Sequence, residues 1–195
     1  MKKLALVILA GVSFATAKAQ FQFGVKGGLN FSSLYGSDIE DARTRVSLNA
    51  GIFARLPIAE HLSLMPELVY SSQGAKFHNP DESFPINYLN IPILLRYGAG
   101  GGFSIFTGPQ IGILTSAKDK FNGNSTDLKD AYKSSDFSWV FGVGYRIPQT
   151  PVGIDFRYNS GISNIEDHNF NNSHGSIRNG VFQMGVTYVL FASGR

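Results

Sequence analysis

Residues 88–97 read YLNIPILLRY, and this stretch decides the fold. One face of it is apolar and consists of Leu89, Ile91, Ile93 and Leu95, whereas the alternate positions include Asn90 and Arg96. Alternation with a period of two indicates a β-strand with two unlike faces. In a soluble barrel the apolar face would point inward. In an outer-membrane barrel it would point outward into lipid.

Seven further segments alternate in the same way, at about residues 21–31, 46–56, 62–75, 103–114, 137–147, 154–159 and 182–190. Their apolar positions are rich in β-branched and aromatic residues, which favour strands. No segment shows a convincing helical period. The sequence therefore predicts an all-β fold of eight strands.

The connections between these strands alternate between long and short. The long ones cover about residues 34–45, 76–87, 115–135 and 163–179, and the short ones 57–61, 98–102 and 148–151. In an antiparallel meander, alternate connections lie at the same end, so all long loops share one end. This arrangement is typical of outer-membrane barrels with long extracellular loops. We expect an eight-stranded antiparallel up-and-down transmembrane β-barrel with both termini in the periplasm.

The composition of the two faces supports the outward placement of the apolar side chains. The polar face is crowded with glycine, as at Gly24, Gly51 and Gly142, and small residues suit the narrow interior of an eight-stranded barrel. Aromatic residues gather near the strand ends of the apolar face, as in the interfacial girdles of membrane barrels. Leu89, Ile91, Ile93 and Leu95 are therefore expected to face lipid, with Asn90 and Arg96 facing inward.

The N-terminus has the pattern of a secretory signal, with Lys2 and Lys3 before an apolar run and Ala17-Lys18-Ala19 as the cleavage site. We expect a signal peptide over residues 1–19 and a barrel domain over residues 20–195, exported to the bacterial outer membrane. Loss of the leader removes three of the 17 Lys+Arg residues, which leaves 14 against 14 Asp+Glu. A near-neutral mature chain does not indicate nucleic-acid binding.

Seven ionisable residues are predicted to point into the lumen: Lys26, Arg55, Glu67, Arg96, Arg146, Asp155 and Arg157. They could form an anion-selective ring. They could equally form a structural network in which Glu67 and Asp155 pair with the arginines, because buried charges must be compensated. The second interpretation is preferred, since eight strands leave little open lumen. Local bulges are expected at Pro66, Pro92 and Pro109, because proline has no N–H to donate.

Seven motifs make the chain resemble the PorT-type outer-membrane barrel proteins common in Bacteroidetes. They are FGVKGGLNFSSL, LSLMPELVYSSQG, YLNIPILLRYG, FTGPQIGIL, FGVGYRI, IDFRYNSGISNI and VFQMGVTYVL, and they span essentially the whole mature chain. Glu67, Pro92 and Pro109 fall where this family has them. The resemblance implies an eight-stranded outer-membrane barrel. The family takes its name from a component of the type IX secretion machinery.

Three kinds of function stay open, and a non-enzymatic interaction or structural role through the loops or periplasmic turns is preferred. A lipid-modifying enzyme would need a histidine close to a serine or an acidic residue, and two loops contain such residues. The first has His78 with Asp81, Glu82 and Ser83, and the second has His168, His174, Glu166, Asp167, Ser173 and Ser176. Neither has the spacing of a catalytic or metal motif. A narrow solute channel is the third candidate. No cofactor is expected. The expected partners are outer-membrane lipid and other proteins. The sequence does not specify an oligomeric state.

Overall fold

The computed structural model describes residues 21–36, 43–76, 83–121, 124–127, 133–164 and 177–193. The predicted leader, residues 1–19, lies outside these ranges. The strands are β1 (Gln22–Gly36), β2 (Arg43–Pro57), β3 (Leu62–Lys76), β4 (Ser83–Gly100), β5 (Phe103–Phe121), β6 (Asn124–Asp127), β7 (Ser135–Arg146), β8 (Val152–Gly161) and β9 (Ile177–Ala192). No helix among the described residues is long and apolar enough to cross a bilayer.

Antiparallel pairing closes eight of these strands into a ring. Its order is β1, β2, β3, β4, β5, β7, β8 and β9, and β9 pairs back with β1. The short strand β6 pairs with the end of β5 as a hairpin that lies outside the ring. The predicted eight-stranded antiparallel barrel is therefore confirmed.

The two faces of the wall are divided as the alternation of residues 88–97 predicts. Ile91, Ile93 and Leu95 are 39%, 47% and 41% exposed on the outer surface. Asn90 and Arg96 point inward and are 2% and 7% exposed. An apolar outer wall around a polar interior is the reverse of a soluble barrel, and it suits a protein whose surrounding solvent is lipid.

Aromatic side chains mark both ends of this outer wall. At the end with the short turns, Tyr97, Phe103 and Tyr188 are exposed. The ring centroids of Phe103 and Tyr145 lie 4.7 Å apart. At the other end, the exposed aromatics are Tyr70, Phe137, Trp139 and Tyr158. These positions correspond to the expected interfacial girdles.

A two-residue turn joins β4 to β5 through Gly101 and Gly102, between the paired residues Gly100 and Phe103. Gly101 has φ 58° and Gly102 has φ 91°. Positive φ at both central residues is the requirement of a type I′ hairpin turn, and glycine meets it without steric cost. This explains the local run GAGGG at 98–102.

The strands reach further into the predicted long connections than the sequence pattern indicates. β4 begins at Ser83, β5 continues to Phe121, and β6 lies inside the predicted third loop. The expected limits of the loops at 76–87 and 115–135 are therefore wrong. Hydrophobic alternation marks only the part of a strand that faces lipid, whereas beyond the bilayer a strand can present polar residues such as Asn87 and Thr115 outward.

The bulges expected at the three prolines are also wrong. The register continues without a shift through Pro66, Pro92 and Pro109, each of which pairs with a residue on a neighbouring strand. The irregularities lie elsewhere, for example between Asn87 and Tyr88. Each proline removes one backbone N–H donor from its strand, and the strand tolerates this without the extra residue of a bulge.

Candidate functional site

The barrel lumen contains all seven ionisable side chains predicted to point inward, and five of them contact one another. The lumen ion network consists of Lys26, Glu67, Arg96, Asp155 and Arg157, each at most 7% exposed. Arg55 and Arg146 are half-buried near the short turns. Arg55 Nε donates to Ser63 Oγ at 3.0 Å, and Arg146 Nη2 donates to Gln22 Oε1 at 3.2 Å.

Glu67 is the centre of the network and binds two cations. Arg157 donates through Nη1 to Oε2 at 2.9 Å and through Nη2 to Oε1 at 3.1 Å, which is a bidentate pair. Lys26 Nζ adds a third bond to Oε2 at 3.0 Å. β3 and β8 are separated by three strands in either direction round the ring, so the Arg157 side chain bridges opposite walls.

Asp155 is the second carboxylate of the network. Its Oδ2 accepts from Arg157 Nη2 at 3.2 Å, and its Oδ1 accepts from Arg96 Nη1 at 3.4 Å. The Phe106 ring contacts both arginines, with its centroid 5.3 Å from Arg96 Cζ and 5.0 Å from Arg157 Cζ. Two buried guanidinium groups therefore lie against the same aromatic ring, which adds a cation–π attraction to the ion pairs.

An apolar cluster also occupies the lumen, and the sequence pattern did not single it out. It consists of Phe53, Met65, Leu94, Phe106 and Val140, each at most 5% exposed. The signal was weak because four of the five members lie between two apolar neighbours, as Leu94 does between Ile93 and Leu95. Even so, the alternation from Asn90 to Arg96 already places Leu94 on the inward face.

A third group, the amide cluster, fills the lumen toward the long connections and was also missed. It consists of Asn30, Asn49, Ser71, Gln73, Asn179 and Gln183. Asn30 Nδ2 donates to Ser71 Oγ at 2.9 Å and Ser72 O at 2.6 Å. Its Oδ1 accepts from Asn49 Nδ2 at 2.6 Å and Gln183 Nε2 at 2.9 Å. Asn179 Nδ2 donates to Gln73 Oε1. The cluster thus links β9, β1, β2 and β3.

Glycines on the inward face make room for these large side chains. A Cβ at Gly144 would lie 2.5 Å from both Arg96 Nη2 and Asp155 Oδ1. A Cβ at Gly142 would lie 2.3 Å from the Phe106 ring. Neither distance is sterically acceptable, so glycine at these two positions lets the ion network and the aromatic ring share one cross-section.

The arrangement can close a lumen, and it offers no catalytic constellation within the described residues. Among those residues no group of three or more histidines or carboxylates could hold a metal ion. The sequence-level candidates His78, His168 and His174 lie outside them, as do the acidic residues expected beside these histidines. The lumen contains a set of buried ion pairs, and removal of one partner from such a pair strongly lowers the free energy of unfolding.

Three comparisons place this geometry among known proteins. The family model for the outer membrane protein beta-barrel domain matches residues 13–167. Neisserial surface protein A is similar in structure, with a TM-score of 0.56 and 15% identity over 85% of this chain and 96% of that one. Ail, the attachment invasion locus protein of Yersinia pestis, has a TM-score of 0.51 and 14% identity over 87% of this chain and 98% of its own.

A second structure of Ail, in complex with the heparin analogue sucrose octasulfate, has a TM-score of 0.53 and 14% identity. It covers 88% of this chain and 99% of that one. No curated protein matches the sequence. At these identities the structures show a shared fold, and the family model spans more than half of the chain. The chain therefore belongs to the outer membrane protein beta-barrel domain family and is an integral protein of the bacterial outer membrane.

Proposed function

We propose that this barrel is a plugged outer-membrane protein of the PorT type that acts by binding other proteins through its long connections. The observation that carries the proposal is the bidentate pair between Arg157 and Glu67, which bridges opposite walls of the lumen. Together with the apolar cluster, this ion pair fills the interior. A filled interior leaves the two ends of the barrel as the surfaces on which an interaction can occur.

We place the interaction at the end with the long connections. β4 and β5 extend there beyond the apolar wall, and β6 projects from β5 as a hairpin. Among the described strands, β6 pairs with β5 alone. An edge strand with unpaired backbone groups is a template for a strand of another chain. Thr126 in β6 is exposed and marks this surface.

The orientation in the membrane is part of the proposal. The apolar run after Lys2 and Lys3 supports a leader over residues 1–19 that is removed on export. An even number of barrel strands then brings both ends of the mature chain to the side of the short turns. We assign that side to the periplasm, because outer-membrane barrels keep their short turns there and their long loops outside.

The PorT type and membership of a secretion complex rest on the sequence motifs. Glu67 lies in the PEL motif and Pro92 in the NIP motif. Both residues line the lumen, and Glu67 is the carboxylate on which two cations converge. The motif glutamate therefore has a structural role that would explain its place in the pattern.

Site-specific photo-crosslinking in intact cells tests this proposal. A photoreactive amino acid is placed at Thr126 on the hairpin, at Glu60 in the turn between β2 and β3, and at Val143 on the lipid-facing wall as the control. We expect a discrete crosslinked protein from Thr126 and none from Val143. Secretion-machinery proteins among the products would support the PorT assignment. Equal background at all three positions would overturn the interaction role.

The narrow channel is the second candidate, because arginines line a cavity of about 330 Å³ at the short-turn end. Planar-bilayer recording of the purified barrel distinguishes the two candidates. A plugged lumen predicts no steady current in salt solution. A current that persists in the wild type and changes in a Phe106→Ala variant would show that solute passes through the lumen.

A further inference from the structure

The mouth of the barrel at the short-turn end contains a cavity rich in arginine. It has a volume of about 330 Å³, and its charged and polar lining includes Gln22, Arg55, Ser63, Arg96, Ser104 and Arg146. A smaller adjoining cavity of about 30 Å³ shares four of its lining residues: Gln22, Arg55, Arg96 and Arg146. Phe53 and Met65 line the inner end of this second cavity. The mouth is thus a cup with an apolar floor.

The carboxylates near the cup are already engaged or point into solvent. Glu67 accepts from Lys26 and Arg157, and Asp155 accepts from Arg157 at 3.2 Å and from Arg96 only at 3.4 Å. The Glu60 side chain is 89% exposed. Within the described part of the chain, no carboxylate lies within the 4.0 Å of a salt bridge to Arg55. Among the described residues that line the cup there are three arginines and one glutamate, so their positive charge is in excess.

Arg96 supplies an independent indication of a missing acceptor. Its side chain is 9% exposed and lines both cavities, yet its buried Nε has no hydrogen-bond partner among the described residues. A buried donor without an acceptor is destabilising, and more so when the group is charged. Buried polar groups in native proteins are nearly always paired. Arg96 therefore lines the cup with one of its guanidinium donors unused.

We propose that the cup binds a phosphate group, held by Arg55, Arg96 and Arg146. Guanidinium groups match phosphate oxygens geometrically and bind them with charge-assisted hydrogen bonds. A tetrahedral oxyanion presents oxygens in several directions and can accept from three arginines at once. A carboxylate has only two oxygens, which lie in one plane. The cavity volume is in the range of small-molecule sites, so the phosphate can carry a substituent.

The phosphate could come from a soluble phosphorylated compound or from the headgroup of a phospholipid. The rim favours neither source alone, because Phe103 and Leu62 line it beside the lipid-facing wall while Glu60 and His61 line it on the solvent side. The inference does not depend on the protein-binding role of the long connections. It concerns the opposite end of the barrel.

Titration of the full barrel in neutral detergent tests the proposal, with inorganic phosphate as the first probe and monomeric short-chain phosphatidylglycerol as the second. Binding is followed by calorimetry and by the phosphorus NMR shift of each probe. The variants are Arg55→Gln and Arg146→Gln. The matched control is Arg45→Gln, at the opposite end of β2, where Arg45 donates to Ser72 Oγ and Gln73 O.

Each cup variant should weaken binding about tenfold, which corresponds to the loss of one charge-assisted hydrogen bond. The Arg45→Gln variant should bind as the wild type does. Tight binding of phosphatidylglycerol with weak binding of inorganic phosphate would identify a lipid headgroup site, and the converse a solute site. The proposal is overturned if neither probe binds, or if Arg45→Gln weakens binding as much as the cup variants do.

Discussion

Arg157 on β8 reaches Glu67 on β3 across the full width of the barrel and binds both of its carboxylate oxygens. The two strands are as far apart round the ring as eight strands allow. The pair therefore joins opposite walls through the interior, where the water that normally screens charges is largely excluded. Several expectations about stability follow from this bridge and from the side chains around it.

Removal of the shared carboxylate should be strongly destabilising. Glu67→Gln leaves Lys26 without its anion and Arg157 with Asp155 alone, and loss of one partner from a buried pair typically costs about 3–5 kcal/mol. Urea unfolding in lipid vesicles, followed by the fluorescence of the single tryptophan, Trp139, measures this loss. Unchanged resistance to urea would show that the lumen ion network does not hold the barrel together.

A double-mutant cycle separates the bridge from its surroundings. Arg157→Gln is combined with Glu67→Gln, and the cost of the double variant should be clearly smaller than the sum of the two single costs. Asn90→Ala is the matched control partner for Glu67→Gln, because Asn90 is also buried in the lumen but lies outside the network. Its effect should add to that of Glu67→Gln. Additivity in both cycles would contradict a direct coupling across the lumen.

Addition of one methyl group at Gly144 should disturb the pair between Arg96 and Asp155. The new Cβ would lie 2.5 Å from an atom of each residue, so Gly144→Ala should cost about 1–3 kcal/mol through overpacking. Gly27→Ala is the control, since its Cβ would meet nothing closer than Asn49 O at 3.7 Å. The urea midpoints of the two variants should differ, and equal midpoints would refute the packing argument.

Asn30 should be the most sensitive member of the amide cluster. Asn30→Leu removes the acceptor of Asn49 Nδ2 and the closer acceptor of Gln183 Nε2, and each orphaned donor costs about 1–3 kcal/mol. Ser47→Ala is a milder control, because the half-buried Ser47 hydroxyl makes a single bond, to Ser72 O at 2.6 Å. Unfolding in urea should rank Asn30→Leu well below Ser47→Ala in stability. The opposite order would argue against a central role for Asn30.

On the outer wall, Thr107 anchors the tryptophan. Trp139 Nε1 donates to Thr107 Oγ1 at 2.7 Å, and Thr107 Oγ1 donates to Val140 O at 2.9 Å. Thr107→Val should cost about 0.5–1.5 kcal/mol, because the indole N–H loses its hydrogen bond to the Thr107 hydroxyl. The tryptophan emission maximum should also move. Thr107→Ser keeps the hydroxyl and should retain the wild-type emission, so a shift in both variants would contradict this assignment.

Much of this barrel could be predicted from the sequence, because lipid on one side and a crowded lumen on the other impose a strict period of two. That period places Arg96 and Glu67 inward without any structural information. It cannot say which charges pair, because the contact between Glu67 and Arg157 depends on the register of every strand between them. The alternation of apolar and polar residues also fades outside the bilayer, which is why the last seven residues of β5 and the whole of β6 fall within a predicted loop.

The bridge between Arg157 and Glu67 has a consequence for how the protein is assembled. Glu67 and Lys26 belong to the N-terminal half of the chain, whereas Arg157 and Asp155 belong to the C-terminal half, so the full set of pairs can form only once β1 has met β9. Until then an open sheet holds ionised groups that hydrocarbon would reject. The last step of insertion is therefore also the step that pairs both lumen carboxylates with their cations. Because these pairs form late, they should slow the unfolding of the finished barrel rather than speed its insertion.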